Sequence, residues 1–518
     1  MRALLTSLAI VFAFLTLRIL QHKFFTIDEF QYAHASWLVA HGQIPYRDFF
    51  NDRFPLLYQA LGSLPFLENA EPQDIILLRW AMLPILIITI AAHASLNRRR
   101  GTITALLGIV LLLCTATFTS RATEIRPDPL AFALFLAAVA VLSRERLDTK
   151  LAAFFAGCLI GASLWASLKV VIYGCVFLAL FRRRRTVALF VAGFASIAAL
   201  IAAYLLLSGS MTDWFTWSVK WAFVHEVQYP GFPRFSATLP FLRDYWWLLI
   251  FGLAGWLADL RSGETLLLLA LPSTFLSFAL QRAPFEYSLI PFIGILTIFA
   301  SRGVLWLLER WRIATIVLSV CGLAIGALRS WQFSAPIADL QLATLRRLAA
   351  ATSLADAVYD NSGAYFARPH AWYFYYTDEV LRRRLGDSMT AAAEEAILRS
   401  QAPAVVMDLR FNGLPPQLQA FIRDHYQPYC GDLRLWGMRF GPAANAEFWA
   451  IKDGAYFVSP PAAVTIDGSP ITSPVFHLKA GAHRVAFNGA AFSILWLPRD
   501  GKTYVPGKPP SRGLFSFL

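Results

Sequence analysis

The sequence predicts a mainly α-helical fold: a polytopic membrane bundle of about eleven spans, followed by a C-terminal domain of α/β and β-sandwich structure. Hydrophobic residues make up 57% of the 518 positions, and the mean hydropathy is +0.52. Charged residues account for 15%, against about 25% in an ordinary soluble protein. The apolar residues are concentrated in long segments before residue 329. A lipid bilayer is therefore the expected solvent of residues 1–328.

Eleven apolar segments have roughly the length of a membrane span. They lie at residues 3–20, 75–96, 102–119, 129–143, 151–166, 168–181, 186–208, 245–258, 265–280, 288–301 and 313–328. The first lacks a small-residue cleavage site and is expected to be retained as a span rather than removed as a signal peptide. The segments within 151–181 are short, roughly 23 Å each as helices against a core of about 30 Å. We expect two short spans there, with a re-entrant pair as the alternative.

Clusters of basic residues alternate with these segments, at 98–100, 144–150, 182–185 and 310–312. The positive-inside rule places every cluster in the cytoplasm. The N-terminus is then inside, whereas 21–74, 120–128, 167–169, 209–244, 281–287 and 329–518 lie outside, as in a multi-pass protein of the bacterial inner membrane. Topology thus explains the net charge of +13, and no nucleic-acid partner is expected.

The first outer loop begins with two adjacent acids, Asp28 and Glu29. From Glu29 to Ala40 the pattern favours a short helix lying along the membrane interface, with Phe30 and Trp37 among its apolar contacts. Neighbouring helix positions point about 100° apart, so both acids cannot face one substrate atom. One carboxylate suffices to take a proton from an attacking hydroxyl when the leaving group is a phosphate, because a phosphate leaves without a general acid. A hydrolase uses two. The structural alternative is that Asp28 caps the helix.

The second outer loop, RATEIRPDPLAF, holds Arg121, Arg126 and Asp128 at the membrane edge. Asp128 as N-cap before Pro129 is an ordinary helix start. The two arginines lie on the side where the orientation rule disfavours them, and a guanidinium there can clamp a phosphate through two hydrogen bonds.

Two further basic residues, Lys169 and Arg282, stand at outer ends of spans. Each alone is more often a snorkelling side chain than a ligand. If they converge with the two arginines, the four cations form a donor phosphate-binding site.

Several stretches resemble the GT-C glycosyltransferases, in order over roughly residues 1–328. They are the DE pair after span one, YAHASWLVAHGQIPYRDFF, FPLLY, RPDPLAF, a lysine after a Gly-rich short span, and EYSLIPF. Glycosyltransferase family 39, the protein O-mannosyltransferases and the lipid A aminoarabinose transferase are the most similar branches. The resemblance implies a polyprenyl-phosphate-linked sugar donor and an inverting transfer, with catalytic residues in the DE pair (Asp28 as base, beside Glu29) and assistance from Asp128. We expect substrate contacts from residues in these stretches and from Arg53, which directly precedes FPLLY; they are Tyr32, Tyr46, Arg47, Asp48, Arg53 and Tyr287.

The chain departs from the family pattern at two places. Where the aminoarabinose branch has Lys-Pro-Pro after the first loop, this chain has Arg53-Phe54-Pro55, which counts against that donor. An arginine-tyrosine pair of the family corresponds only loosely to Arg282 and Tyr287.

The last 190 residues have a mixed pattern. A helix at 340–350, a buried strand at 404–409 and a helix in PPQLQAFIRDHY predict an α/β region over 329–446. From 447 to 518 we expect a small β-sandwich, with one hairpin turning at Asp467-Gly468 and a second in HLKAGAHRVAFNG. Tyr365, Arg368 and Trp372 are candidate contacts to acceptor or glycan in this domain, and packing over the membrane site is its alternative role.

The predicted partners are a polyprenyl-phosphate sugar, membrane lipids, and a lipid, glycan or protein acceptor. No dense metal-ligand set is present, although one aspartate beside a phosphate can recruit a divalent cation. Two alternatives stay open: a non-catalytic carrier or scaffold in envelope assembly, and a polysaccharide polymerase or ligase that relies on arginine and histidine rather than on a DE pair.

Overall fold

The computed structural model describes residues 1–143, 149–182, 184–228, 234–262, 264–282, 284–442, 445–487, 489–503 and 514–515. Its α-helices are α1 Arg2–His22, α2 Ile27–Ala40, α3 Leu56–Gly62, α4 Ile75–Trp80, α5 Leu83–Arg98, α6 Thr102–Cys114, α7 Ala116–Ala122, α8 Pro127–Leu142, α9 Thr149–Ala166, α10 Val170–Gly174, α11 Arg184–Leu207, α12 Met211–Trp214, α13 Trp221–Gln228, α14 Arg234–Ala258, α15 Thr265–Ala279, α16 Ile290–Leu308, α17 Arg312–Phe333, α18 Ile337–Ala351, α19 Glu379–Leu385, α20 Ser388–Arg399 and α21 Pro416–His425. Its strands are β1 Val358–Tyr359, β2 Ala404–Val406, β3 Tyr426–Cys430, β4 Leu433–Phe440, β5 Asn445–Ala450, β6 Gly454–Ser459, β7 Thr465–Ile466, β8 Ser469–Pro470, β9 Val475–Leu478, β10 Gly481–Ala486 and β11 Phe492–Trp496.

The described chain divides into two compact units. The helical unit comprises Met1–Lys23, Asn51–Leu61 and Ile76–Ala338. The mixed unit comprises Phe24–Phe50, Gly62–Ile75 and Asp339–Leu518. The first loop, 21–74, is therefore shared. Its residues 21–23 and Asn51–Leu61 belong to the helical unit, and the rest belongs to the mixed unit.

The predicted apolar segments all lie in helices. The predicted outer loops 21–74 and 209–244 also contain helices of this unit, namely α3, α12, α13 and the first part of α14. Among the described residues, five stretches are long and apolar enough to cross a membrane, or six if the bent pair α6–α7 is one span. Four shorter apolar helices, including those within 150–180, accompany them. Each of the eleven segments is helical, and the chain is a multi-pass membrane protein.

Helix α16 is the most buried of the five membrane-length stretches, with 94% of its most apolar 18 residues buried. It packs against α14 through glycines: a Cβ added at Gly303 would lie 1.9 Å from the Phe251 carbonyl oxygen, and one at Gly255 would lie 1.9 Å from that of Phe299. Small residues allow such backbone contact between helices in a bilayer, where close packing drives association.

A 76° bend separates α6 from α7. It arises at Thr115, whose backbone leaves the helical region with φ −81° and ψ 90°. The bend directs α7 into the turn at residues 123–126, from which α8 begins. This turn carries the charged residues described below.

Two sheets form in the mixed unit among the described residues. One has seven strands in the order β1-β2-β4-β11-β6-β9, with β3 also paired to β4, and the other has four in the order β5-β10-β7-β8. The pair β1–β2 is parallel. Because strands from both sides of residue 446 share the larger sheet, the boundary predicted between an α/β region and a β-sandwich falls inside one sheet.

Most local predictions for this unit are confirmed. Helices α18 and α21 and the buried strand β2 form where expected. The β7–β8 hairpin turns at Asp467 and Gly468, whose φ angles of 50° and 79° are those of a type I′ turn. The second predicted hairpin is wrong, because β9 pairs with β6 whereas β10 pairs with β5 and β7 in the other sheet.

Arg368 lies in the interior of the mixed unit. It is fully buried, and its guanidinium donates to Glu71 Oε2 (2.6 Å), the Ala367 carbonyl (2.7 Å) and the Thr352 carbonyl (3.1 Å). These bonds fasten the end of the first loop to the segment after α18, so Arg368 is an internal anchor rather than a surface for substrate.

Candidate active site

A cluster of charged side chains in the helical unit is centred on Glu124, in the turn between α7 and α8. Its carboxylate is 1% exposed and forms ion pairs with Lys23, with Arg121 (2.7 Å) and with Arg126 (3.1 Å). Burial alone would raise the pKa of Glu124, but the charges of Arg121, Lys23 and Arg126 hold it below its ordinary value. Glu124 is therefore an anion that brings three cations from α7, its following turn and the end of α1 to one place.

Asp128 and Lys169 form the second part of the cluster. Asp128 lies in the first turn of α8, where a negative charge favours the helix dipole, and its Oδ1 is 2.9 Å from Nζ of Lys169. Lys169 precedes α10 directly. Burial lowers the pKa of Lys169, Asp128 opposes this effect, and the charges of Arg53 and Arg126 add to it. Arg53 thus belongs to the electrostatic surroundings of Lys169.

The ring of Tyr287 is shared by two cations. The guanidinium carbon of Arg126 lies 3.8 Å from the ring centroid, and Nζ of Lys169 lies 4.4 Å from it. Both contacts are of the cation–π type. The neighbouring residue Glu286 accepts from Arg121 at 2.8 Å. The segment before α16 therefore closes the cluster from another side.

The cluster carries more positive than negative charge. Four cations (Lys23, Arg121, Arg126, Lys169) face three carboxylates (Glu124, Asp128, Glu286). The cluster therefore has one positive charge in excess. Its guanidinium groups are partly buried and lie beside an aromatic ring, which makes the cluster a suitable binding environment for a phosphate. Three of the four predicted phosphate ligands, Arg121, Arg126 and Lys169, are thus brought together. Arg282 is exposed and donates to the carbonyl of Val227 on α13, a helix that contributes none of the other residues.

The two adjacent acids of the first loop have different environments. Helix α2 begins with a capping box: Glu29 Oε2 accepts from the Thr26 amide at 3.0 Å, and Thr26 Oγ1 accepts from the Glu29 amide at 3.4 Å. Thr26, not Asp28, is the N-cap, so the capping role considered for Asp28 is wrong. Glu29 is fully buried, whereas Asp28 is partly exposed and takes no part in the box.

The other predicted substrate residues lie in two places. Tyr32 and Tyr46 are buried in the mixed unit. Asp48 accepts from Arg47 (2.8 Å) and from the Ile44 amide (2.8 Å), and the Arg47 hydrogen bond lowers its pKa. Arg53, in the helical unit, is exposed and pairs with Asp52 at 3.3 Å. Among the described residues, no group of three His, Cys, Asp or Glu side chains is placed to hold a metal ion.

Sequence reasoning missed three members of the cluster: Lys23, Glu124 and Glu286. Glu124 had a local signal, since it stands between the two arginines already singled out. Lys23 and Glu286 had none, because their partners are about 100 and 165 residues away in the chain.

Comparison with known proteins addresses the fold. No family model matches the chain, and no curated protein matches it. Solved structures do match. The Cupriavidus metallidurans ArnT structure bound to undecaprenyl phosphate has 11% identity and a TM-score of 0.54, with 83% of this chain and 97% of that chain covered. In the apo state the same enzyme has 13% identity and a TM-score of 0.58, with the same coverage.

A second GT-C protein aligns over more of the chain. The Archaeoglobus fulgidus oligosaccharyltransferase AglB, in complex with an inhibitory peptide and a dolichol-phosphate, has 11% identity and a TM-score of 0.50, covering 92% of this chain and 74% of that one. The chain has the GT-C fold. The resemblance noted in the sequence is thereby confirmed for the fold, and at these identities it extends no further. The GT-C fold accounts for a helical membrane unit that continues into a C-terminal sheet domain.

Proposed function

We propose that the chain is an inverting glycosyltransferase that transfers a sugar from a polyprenyl-phosphate donor to an acceptor on the exoplasmic face of a bacterial inner membrane. The observation that carries this proposal is the cluster around Glu124 and Tyr287, with one cation in excess, in a chain of GT-C fold. The ArnT structure is bound to undecaprenyl phosphate and the AglB structure to a dolichol-phosphate, which supports a ligand of that class here.

The donor phosphate is assigned to the cationic cluster. A polyprenyl-phosphate sugar carries one negative charge, and its phosphate gains a second when the bond to the sugar breaks. Arg121, Arg126 and Lys169 stabilise that second charge, so the leaving group needs no proton. Arg282, the fourth predicted ligand, donates to the Val227 carbonyl instead and is not assigned to this phosphate. Asp128 holds Lys169 in place through their 2.9 Å contact.

Asp28 is the proposed general base. It takes the proton from the acceptor nucleophile, which then attacks the anomeric carbon from the face opposite the phosphate and inverts its configuration. Glu29 is engaged in the capping box and therefore supports the helix that carries Asp28. In the sequence, Asp28 follows Lys23 of the cluster by five residues. Tyr32, Tyr46, Arg47, Asp48, Arg53 and Tyr287 are proposed to contact sugar or acceptor.

The test is a transfer assay with the purified full chain in lipid nanodiscs. Undecaprenyl-phosphate sugars with labelled hexose or aminoarabinose are supplied with an envelope extract as acceptor, and released undecaprenyl phosphate and label on the acceptor are measured. Removing the base in Asp28→Asn should lower kcat by about 10²–10⁴-fold. Asp213→Asn is the matched control, since Asp213 is also a partly exposed acid in the first turn of a helix, α12.

Four outcomes test the parts of the proposal. An Asp28→Asn variant as active as wild type refutes the base role, and retained anomeric configuration refutes the inverting mechanism. Binding of every donor without release of undecaprenyl phosphate supports a carrier instead. Activity that survives EDTA argues against recruitment of a divalent cation by the donor phosphate.

A further inference from the structure

Helix α2, which carries Asp28, is enclosed rather than amphipathic. All ten residues from Glu29 to Leu38 are buried. A helix at a membrane surface keeps a polar face in water, whereas one that is buried all round is held by other elements. The structure therefore differs from the interfacial helix expected from the sequence, and the contacts of α2 decide its orientation.

Two hydrogen bonds, three residues apart on α2, hold it to the segment 358–376 of the same mixed unit. Nδ1 of His34 lies 3.0 Å from the Phe366 carbonyl oxygen, so this nitrogen carries the hydrogen and donates it. The hydroxyl of Tyr375 donates to the Gln31 carbonyl at 3.2 Å. The Tyr375 ring also packs on the His34 ring, with centroids 4.8 Å apart. Together these contacts fix both the rotation and the axial position of the helix.

The turn at residues 360–366, whose Phe366 carbonyl accepts from His34, is itself rigidly held, and we call it the Phe366 turn. The Asp360 carboxylate accepts from the backbone amides of Ser362 (3.2 Å), Gly363 (2.8 Å) and Tyr365 (3.0 Å). Gly363 has φ +69°, and a Cβ there would lie 3.1 Å from His34 Cβ. The close approach needs glycine, and it leaves α2 little room to shift against the turn.

The imidazole of His34 stays neutral in this site. Burial and the nearby His370, with ring centroids 5.9 Å apart, lower its pKa to about 3, and Asp360 opposes them only in part. With Nδ1 donating, Nε2 is an unprotonated acceptor, and it has no hydrogen-bond partner among the described residues. Nδ1 keeps its hydrogen in the neutral and in the protonated ring, so the bond to Phe366 does not depend on the charge of His34.

Asp28 precedes His34 by six residues on the same helix, which places it about 9 Å along the axis and about 120° around it. Rotating α2 by about 20° would move a carboxylate lying roughly 6 Å from the axis by about 2 Å. A misplacement of about 1 Å in a reacting group can cost about 10²-fold in rate. We propose that His34 is a positioning residue, which sets the direction of Asp28 by locking α2 onto the Phe366 turn of the mixed unit. The inference rests on the proposed role of Asp28 as base.

The experiment compares variants at the two hydrogen bonds. His34→Phe keeps an aromatic ring of similar size but removes the Nδ1 donor, and His34→Asn restores a donor at nearly the same place. Tyr375→Phe removes the second bond. Tyr456→Phe is the matched control. The Tyr456 hydroxyl, on β6, also donates to a backbone carbonyl, that of Lys452 at 2.8 Å, just before the strand.

With the undecaprenyl-phosphate sugar that wild type turns over, His34→Phe should lower kcat by about 10–100-fold while the donor KM stays within about twofold. His34→Asn should recover to within about threefold of wild type, and Tyr456→Phe should not change kcat. A purely structural role would instead lower the amount of folded protein and leave kcat per folded molecule unchanged.

Hydrogen exchange of the backbone amides of residues 28–38 is a second measurement, and it needs no sugar donor. His34→Phe and Tyr375→Phe should raise exchange there, whereas Asp28→Asn should not. Unchanged exchange in His34→Phe refutes the positioning role whatever the activity, and raised exchange with wild-type kcat refutes it as well. A wild type that turns over no donor refutes the proposed function itself, and the catalytic part of this inference with it.

Discussion

Replacing Glu124 by glutamine tests whether the cationic cluster depends on its central carboxylate. The substitution keeps the shape of the side chain and one acceptor oxygen but removes the charge shared by Lys23, Arg121 and Arg126. The Glu124 side chain is 1% exposed, and those of Lys23 and Arg126 are 2% and 4% exposed. Breaking a buried ion pair by removing one partner costs about 3–5 kcal/mol, because the other charge is left uncompensated.

Glu286→Gln is the matched control within the same cluster. Glu286 is 29% exposed and is paired with Arg121, which also keeps its contact with Glu124. A partly exposed pair of this kind is worth about 0–1 kcal/mol. A helical unit of this size shifts its melting temperature by roughly 1–2 °C per kcal/mol. Glu124→Gln should therefore lower the melting temperature by roughly 3–10 °C. Glu286→Gln should lower it by at most about 2 °C.

The melting temperatures are measured by tryptophan fluorescence in one detergent, at one protein concentration and one scan rate, because unfolding of such a chain is not a reversible two-state reaction. Equal shifts for the two variants would refute the view that Glu124 organises the cluster, and so would a Glu124→Gln variant as stable as wild type.

Two further predictions concern the rest of the fold. Burial and the charge of Asp360 raise the pKa of Asp408 to about 6 from 3.8, so the folded state binds this proton more tightly than the unfolded state. The resulting stabilisation of the folded state, roughly 3 kcal/mol, is complete below about pH 4 and is lost as the pH rises through 6. The difference in melting temperature, Asp408→Asn minus wild type, should therefore be larger at pH 7.5 than at pH 4.5. A difference that does not change with pH would contradict this prediction. Gly303→Ala should reduce the yield of folded protein sharply, because its Cβ would lie 1.9 Å from the Phe251 carbonyl oxygen. Gly174→Ala is the control and should not reduce the yield, because its Cβ would lie 3.6 Å from Val170 Cγ1. Equal yields by size-exclusion chromatography would refute the α14–α16 packing.

The N-cap of α2 has a local signal in the sequence. Thr26 and Glu29 are spaced as a capping box requires, so the true N-cap was present in the sequence. The adjacent acid Asp28 is also a residue type that caps helices, and the sequence alone does not separate the two candidates. The boundary of the helix was nearly correct because the cap lies only two residues earlier.

The span segments were predictable because hydropathy is a property of each segment alone. The second predicted hairpin failed for the opposite reason. Strands β9 and β10 are separated by only two residues, yet each pairs with a distant strand in a different sheet. Such partner choice depends on contacts between remote residues, and so do the pairs of Lys23 and Glu286 with their cluster.

The enclosure of α2 also has a consequence for biosynthesis. The ring of Phe30 packs edge-on against that of Phe515, with centroids 5.4 Å apart. At translation rates of about 5–20 residues per second, the ribosome needs roughly 25–100 s to reach the second ring after making the first. Throughout that interval the newly made helix has no finished pocket to enter. Its apolar side chains need temporary shelter, at the lipid surface or on a chaperone, and a shortage of that shelter should appear as proteolytic cutting near α2 in nascent chains before any loss of the completed protein.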